Sequence, residues 1–182
     1  MAGINRALYE NRNLAKAAVS HNRPCIFLSH ISVDKSTAAA IGNYITKRGD
    51  IDIYLDINDQ ELQDAVNNGD AISITHFIER GLGNSTHIMC LASANTARSW
   101  WVPYELGFAK NAGAYLSTLR LKDVELPAYL EISEVIRGTK SLNEYLRRVR
   151  LGFGKSAART LIETLVSHTD DHPLDTYLNW GE

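Results

Sequence analysis

Three apolar runs set the terms on which this chain can fold. "CIFLSH" from Cys25, "IDIYLDI" from Ile51 and "THIMCLAS" from Thr86 are dominated by apolar and β-branched residues along their length. A strand that is apolar on both sides has to be covered on both sides, which is the situation inside a parallel sheet. "GAYLSTLRL" and "YLEISEVIRG" read as two further short strands. Strands alternating with helices predict an α/β fold, a central five-stranded parallel sheet with helices on both faces.

The intervening segments carry the helical period. Ile4, Leu8, Ala15 and Val19 space out a short amphipathic helix over residues 3–20. "DKSTAAAIGNYITKRG" predicts a second helix, with Asp34 or Ser36 as its start signal and Gly49 as its stop. "AISITHFIERGLGNS" sets Ile74, Phe77, Ile78 and Leu82 on one side, and "NTARSWWVPYELGFAKN" follows the third strand. "SLNEYLRRVRL" and "SAARTLIETLVSH" close the chain as helices. The acidic stretch "DINDQELQDAVNNGD", Asp56–Asp70, is weakly periodic, so it is either a functional loop or contains a short helix.

Composition excludes several classes. At 182 residues, with 45% apolar and 22% charged residues, the chain suits one soluble domain with modest extensions. A formal net charge of −2 and the lack of a long basic run argue against a nucleic-acid surface. Cys25 and Cys90 lie in apolar runs and read as buried reduced thiols. "MAGINRALYENRNLAKAAV" is broken by Arg6, Glu10, Arg12 and Lys16, unlike a secretory leader, and no window approaches ~18 apolar residues. The expectation is a cytoplasmic protein with neither a membrane nor a nucleic acid as partner.

Ligands of parallel α/β sheets sit at the carboxyl ends of the strands, near the point where strand order reverses. Here that edge is built from "LSHIS", the acidic 56–70 stretch and the segment after "LAS". The last of these leads into "SWWVPYELGFAKNAG", where Trp101 and Glu105 are four apart and share one helical face. Ligand contact is expected within 28–34, which covers Leu28, Ser29, His30, Ile31 and Ser32; backbone N–H groups there can meet a diphosphate as the next helix begins. Ser29 and Ser32 alternatively only cap the turn, and His30 is ambiguous. Asp56 either binds a ribose hydroxyl or forms a turn, and Tyr104 either lines the site or packs in the core.

In this order, "FLSHISVDKS", the long segment after "IYLD", the "IMCLAS" strand and the W-x-x-x-E of Trp101-Val102-Pro103-Tyr104-Glu105 resemble a Toll/interleukin-1 receptor (TIR) domain. The resemblance spans residues 23–150, flanked by helical extensions at 1–22 and 151–182, and implies a flavodoxin-like sheet. "SWWVPYELGFAKNAG" is closer to bacterial TIR proteins than to animal receptor adaptors. Such bacterial members are typically enzymes that cleave NAD+ at the nicotinamide–ribose bond. Some release ADP-ribose and others make cyclic or conjugated ADP-ribose messengers in antiphage systems such as Thoeris.

The resemblance maps the family's catalytic glutamate onto Glu105 and makes NAD+ a substrate, with no cofactor and no metal. It puts residues 56–70 at the family's BB loop, implying self-association through TIR–TIR contacts, an infection trigger and a downstream effector that senses the product. Arg147, Arg148 and Arg150 offer complementary charge for that association. The chemistry is consistent with one carboxylate: nicotinamide leaves a pyridinium as a neutral molecule, so no proton donor is needed, unlike ordinary glycoside hydrolysis. The helix start would favour an anionic Glu105 that stabilises oxocarbenium-like charge, and Trp101 would pack on a planar ring. The rival readings are a non-catalytic TIR–TIR interaction module and a deoxyribosyltransferase-like nucleoside-cleaving enzyme.

Three other signals carry less. "GFGKSA" lacks the P-loop glycine, since Val149 stands five residues before Gly154. "GLGNS" reads as a helix stop, and His168 and His172 with Asp170 and Asp171 fall in a loop before Pro173 rather than on one helical face. The tail docks Tyr177 and Trp180 either on the domain or on a partner.

Overall fold

The computed structural model describes residues 2–8, 23–58, 60–152, 165 and 172–180. Five strands, β1 (Cys25–Ser29), β2 (Asp52–Tyr54), β3 (His87–Ala92), β4 (Tyr115–Arg120) and β5 (Glu134–Ile136), form one sheet in the order β2-β1-β3-β4-β5. Every pairing is parallel. The strands therefore need crossover connections: α1 (Lys35–Gly49) lies between β1 and β2, α2 (Gln60–Asn68) and α3 (Ala71–Gly83) between β2 and β3, and α4 (Trp101–Asn111) between β3 and β4, while a 3-10 turn at Ala128–Leu130 lies between β4 and β5 and α5 (Thr139–Gly152) follows β5. The order reverses between β1 and β3, as in flavodoxin-like folds.

Period-two alternation divides the core between the two faces. Ile26, Leu28, Met89, Leu91, Leu119 and Ile136 join Ile41 and Ile45 of α1 and Leu142 and Leu146 of α5. On the opposite face Cys25, Phe27, Ile88 and Cys90 join Ile78 and Leu82 of α3 and Val102, Leu106 and Ala109 of α4. Phe27 stacks on Tyr54 with ring centroids 5.6 Å apart. Gly81 lets α3 lie on that pair, because a Cβ there would come within 2.5 Å of the Tyr54 ring.

The acidic stretch resolves into a short 3-10 turn at Asp56–Asn58 followed by α2. Leu62 and Ala65 are buried beneath α2, and Glu61 pairs with Arg80 of α3 at 2.7 Å. Gly69 turns the chain at φ 67, and Asp70 caps α3 by accepting the Ser73 N–H at 3.1 Å. The arginines proposed to meet this stretch in another copy are differently committed. Arg150 is buried and pairs with Asp50 at 2.9 Å, and Arg148 pairs with Glu134. Burial takes Arg150 out of a neighbour's reach, whereas the Arg148 pair is exposed and holds its guanidinium only weakly.

Residues 2–8 depart from the helix expected over 3–20. They run along the free edge of β2, where Ile53 N–H donates to the Ile4 carbonyl and Asn5 bridges Ile53, before a 3-10 turn at Arg6–Leu8. Arg6 overrides the local period: its guanidinium is buried and donates to Asp52 Oδ2 from both Nε and Nη2, at 3.1 and 3.0 Å. The remainder of that expected helix lies outside the described residues, as does the "SAARTLIETLVSH" helix apart from Leu165, which is buried.

The tail docks on its own domain. Leu174 and Leu178 are in the core, Asn179 bridges Gly138 just past β5, and His172 lies between Tyr44 and Trp180. His168, Asp170 and Asp171 lie outside the described residues. Among the described residues no helix is long and apolar enough to cross a membrane.

The Arg6–Asp52 pair gives a stability prediction. Arg6→Ala leaves a buried carboxylate without its main partner and should cost about 3–5 kcal/mol in urea unfolding. A loss below about 1 kcal/mol would mean that Arg23, at 3.5 Å from Asp52 Oδ1, suffices.

Candidate active site

The turn after β3 is fixed before α4 begins. Thr96, fully buried, donates from Oγ1 to the Leu91 carbonyl and accepts the Ser93 N–H at 2.8 Å. A 3-10 turn at Thr96–Arg98 follows, and Ser99 in extended conformation accepts the Val102 N–H at 3.2 Å, satisfying one free donor of α4. Pro103 falls in the first turn, where its missing N–H leaves no helical bond unmade. Glu105 is thus directed inward on the second turn, against the β1–β3 face.

Two strand residues form its bed. Ser29 ends β1 on the same face as Cys25 and Phe27, and it is in register with Cys90 of β3. Neither Ser29 Oγ nor Glu105 Oε2, both buried, makes a well-formed hydrogen bond among the described residues. Burial pushes the Glu105 carboxyl up to about 8; the Ser29 hydroxyl draws it down and the charge of Asp56 raises it, both by less. The expected helix-start effect loses because Glu105 lies past the first turn, beyond which the helix field falls away, whereas desolvation is complete. Cys90, pushed to about 12 chiefly by burial and then by Glu105, is an inert thiol rather than a nucleophile.

Glu105 lines a cavity of about 540 Å³ at the carboxyl ends of β1, β2 and β3. That volume falls in the range of small-molecule sites. His30, Ile31, Ser32, Asp56 and Trp101 line it as well. The His30 ring is buried, with Nδ1 3.1 Å from the Leu28 carbonyl and 3.6 Å from Asp56 Oδ1. A carbonyl can only accept, so Nδ1 carries the proton and Nε2 is an acceptor while the ring is neutral.

Leu28, Ser29 and Tyr104 do not line the cavity. Leu28 faces the opposite core, and Ser29 acts beneath Glu105. Tyr104 neither lines the site nor packs in the core: it is on the surface, where its hydroxyl donates to Glu79 and its ring meets the Trp101 edge at 6.0 Å. Several lining residues escape sequence reasoning. Val33, from the 3-10 turn Ser32–Asp34, falls inside the expected 28–34 stretch; Lys35 comes from the start of α1, Gln63 and Val66 from α2, and Asn95, Arg98 and Trp100 from the turn before α4. The doubled tryptophan was the visible signal for Trp100; the others depend on how α2 folds across the strand ends.

A family model for the TIR domain matches residues 26–149. A search of curated proteins returned no match.

The raised pKa has a thermodynamic consequence. The stability contribution of protonated Glu105 is fully present below the unfolded value of 4.5 and is lost as pH rises to about 8. Above that, the buried anion costs on the order of a few kcal/mol. Glu105→Gln should therefore melt several degrees above the native chain at pH 8.5, a gap that closes toward pH 4.5. A gap independent of pH would contradict the assignment.

Proposed function

The chain belongs to the TIR-domain family, and from that premise we propose that it is a bacterial-type TIR enzyme that cleaves the nicotinamide–ribose bond of NAD+. TIR domains can be NAD+-cleaving enzymes, and they associate with one another. The observation that carries the reading is the buried Glu105 carboxyl, with an unsatisfied oxygen, in a cavity that it shares with Trp101 and His30. A desolvated acid with one oxygen left without a well-formed hydrogen bond is a cost that folding alone does not explain.

The bond to be broken suits that acid. The nicotinamide ring is cationic before cleavage and leaves neutral, while positive charge develops on the ribose. A carboxylate fixed beside the ribose stabilises that change and needs no partner acid. The raised pKa then favours discrimination. An opposite charge within about 4–6 Å favours the ionised form, so the cationic substrate is what draws the proton off Glu105. Asp56 and His30 supply an acceptor and a hydrogen-bonded ring for ribose hydroxyls, and Trp101 supplies an aromatic surface.

The product belongs to the same proposal. Release of ADP-ribose requires water at the ribose carbon, whereas a cyclic or conjugated ADP-ribose requires another part of the ligand to arrive first. A signalling product sensed by a downstream effector, in cytoplasmic antiphage immunity of the Thoeris kind, is the role we assign, with infection as the trigger of self-association.

The test is chromatography of NAD+ incubated with concentrated protein. We expect nicotinamide release by the native chain and a loss of at least about 10²-fold in Glu105→Gln, since the group acts on transition-state charge. For the native chain kcat/KM should rise with pH and level off above about 8, because the ionised free enzyme is the competent form. Release that survives Glu105→Gln would overturn the site. Base exchange on nucleosides, with NAD+ left intact, would favour the deoxyribosyltransferase-like reading; an inert native chain whose association survives Glu105→Ala would favour the interaction module.

A further inference from the structure

The mouth of the cavity differs in chemistry from its floor. Its floor carries the acids Glu105 and Asp56, whereas two exposed cations, Lys35 and Arg98, line it from different elements. Lys35 Nζ donates to the neutral Gln63 Oε1 at 3.2 Å, and Arg98 makes no side-chain hydrogen bond or ion pair among the described residues. Neither cation is neutralised by a carboxylate there.

Beside them the rim is apolar. Trp100 is 92% exposed, although it is among the largest side chains of the protein, and Val33 and Val66 are 68% and 51% exposed. A bulky indole left in water forgoes the gain from burial, so its natural partner is something that arrives. An aromatic platform next to two uncompensated cations matches a planar base joined to phosphates: stacking takes the base, and the cations take the charge.

We infer that Trp100, Arg98 and Lys35 form a nucleotide-holding subsite, which takes the base and diphosphate of a nucleoside diphosphate while the ribose to be cleaved reaches Glu105. The inference rests on the function proposed above, to which it adds a specificity device: a phosphorylated dinucleotide is preferred over a bare nucleoside. Its charge pattern also gives the ligand a direction, with anionic groups outward and the cationic ring inward. A second copy of this chain is the competing occupant of an apolar rim. The uncompensated cations favour the nucleotide, because two copies presenting the same rim face to face would repel.

Titration calorimetry with ADP separates this inference from the proposed reaction, since ADP has no nicotinamide–ribose bond to cleave. The native chain and Glu105→Gln should bind ADP alike. Trp100→Ala and Arg98→Ala should each weaken binding by about fivefold or more, and Lys35→Ala should lessen its salt dependence. In activity, the rim variants should lower kcat/KM on NAD+ and leave cleavage of nicotinamide riboside unchanged. ADP binding that is absent, or equal in native and rim variants, would overturn the subsite even if NAD+ is cleaved. Rim variants that alter only the sedimentation coefficient would overturn it in favour of an interface between copies. Cleavage of NAD+ failing while ADP binding follows the rim would leave this subsite standing and remove the reaction.

Discussion

A parallel sheet has no face it can leave in water, and that constraint brings Glu105 to where it is. Helix α4 has to cover the β1–β3 face with Val102, Leu106 and Ala109. Glu105 sits within the same covering surface, so the carboxyl is pressed onto Ser29 and Cys90 with the apolar residues around it. Everything distinctive about the site follows from this placement. The acid is dry, its proton is held to about 8, and one of its oxygens lacks a well-formed partner. The fold tolerates an unfavourable burial because the surrounding packing over-determines it.

The two ends of the chain serve the same sheet. Residues 2–8 occupy the free edge of β2, and the tail packs beside the end of β5. An exposed parallel edge is a template for unwanted pairing, so covering it is a form of protection. Among the described residues the cavity rim exposes Trp100, Val33 and Val66.

What could be read from the sequence was what depends on local pattern. The strands β1 and β3 announce themselves because both their faces are apolar, and the switch-point rule then locates the cavity without coordinates. The character of residues 56–70 stayed open because α2 buries only Leu62 and Ala65 among its described residues, too few apolar positions to set a period. Residues 3–8 misled because Ile4 and Leu8 match a helical spacing, while the deciding contact, Arg6 to Asp52, is between residues far apart in the chain. The state of Glu105 was hidden for a similar reason. Sequence shows a carboxylate near a helix start, but the energy is set by how completely water is removed, which only tertiary packing determines. Lys35 and Arg98 went unnoticed because ordinary surface cations acquire meaning only when a cavity opens between them.

Direct titration of the Glu105 carboxyl tests the central claim most plainly. With glutamate labelled at the side-chain carboxyl carbon, the resonance missing from Glu105→Gln identifies the group, and its shift is followed from pH 4 to pH 10. The account predicts a midpoint near 8 in the empty protein, moving downward when a cationic nicotinamide nucleotide is added. A midpoint in the ordinary range around 4.5 would mean that water reaches the carboxyl, and the dry acid on which the site and its function rest would be gone.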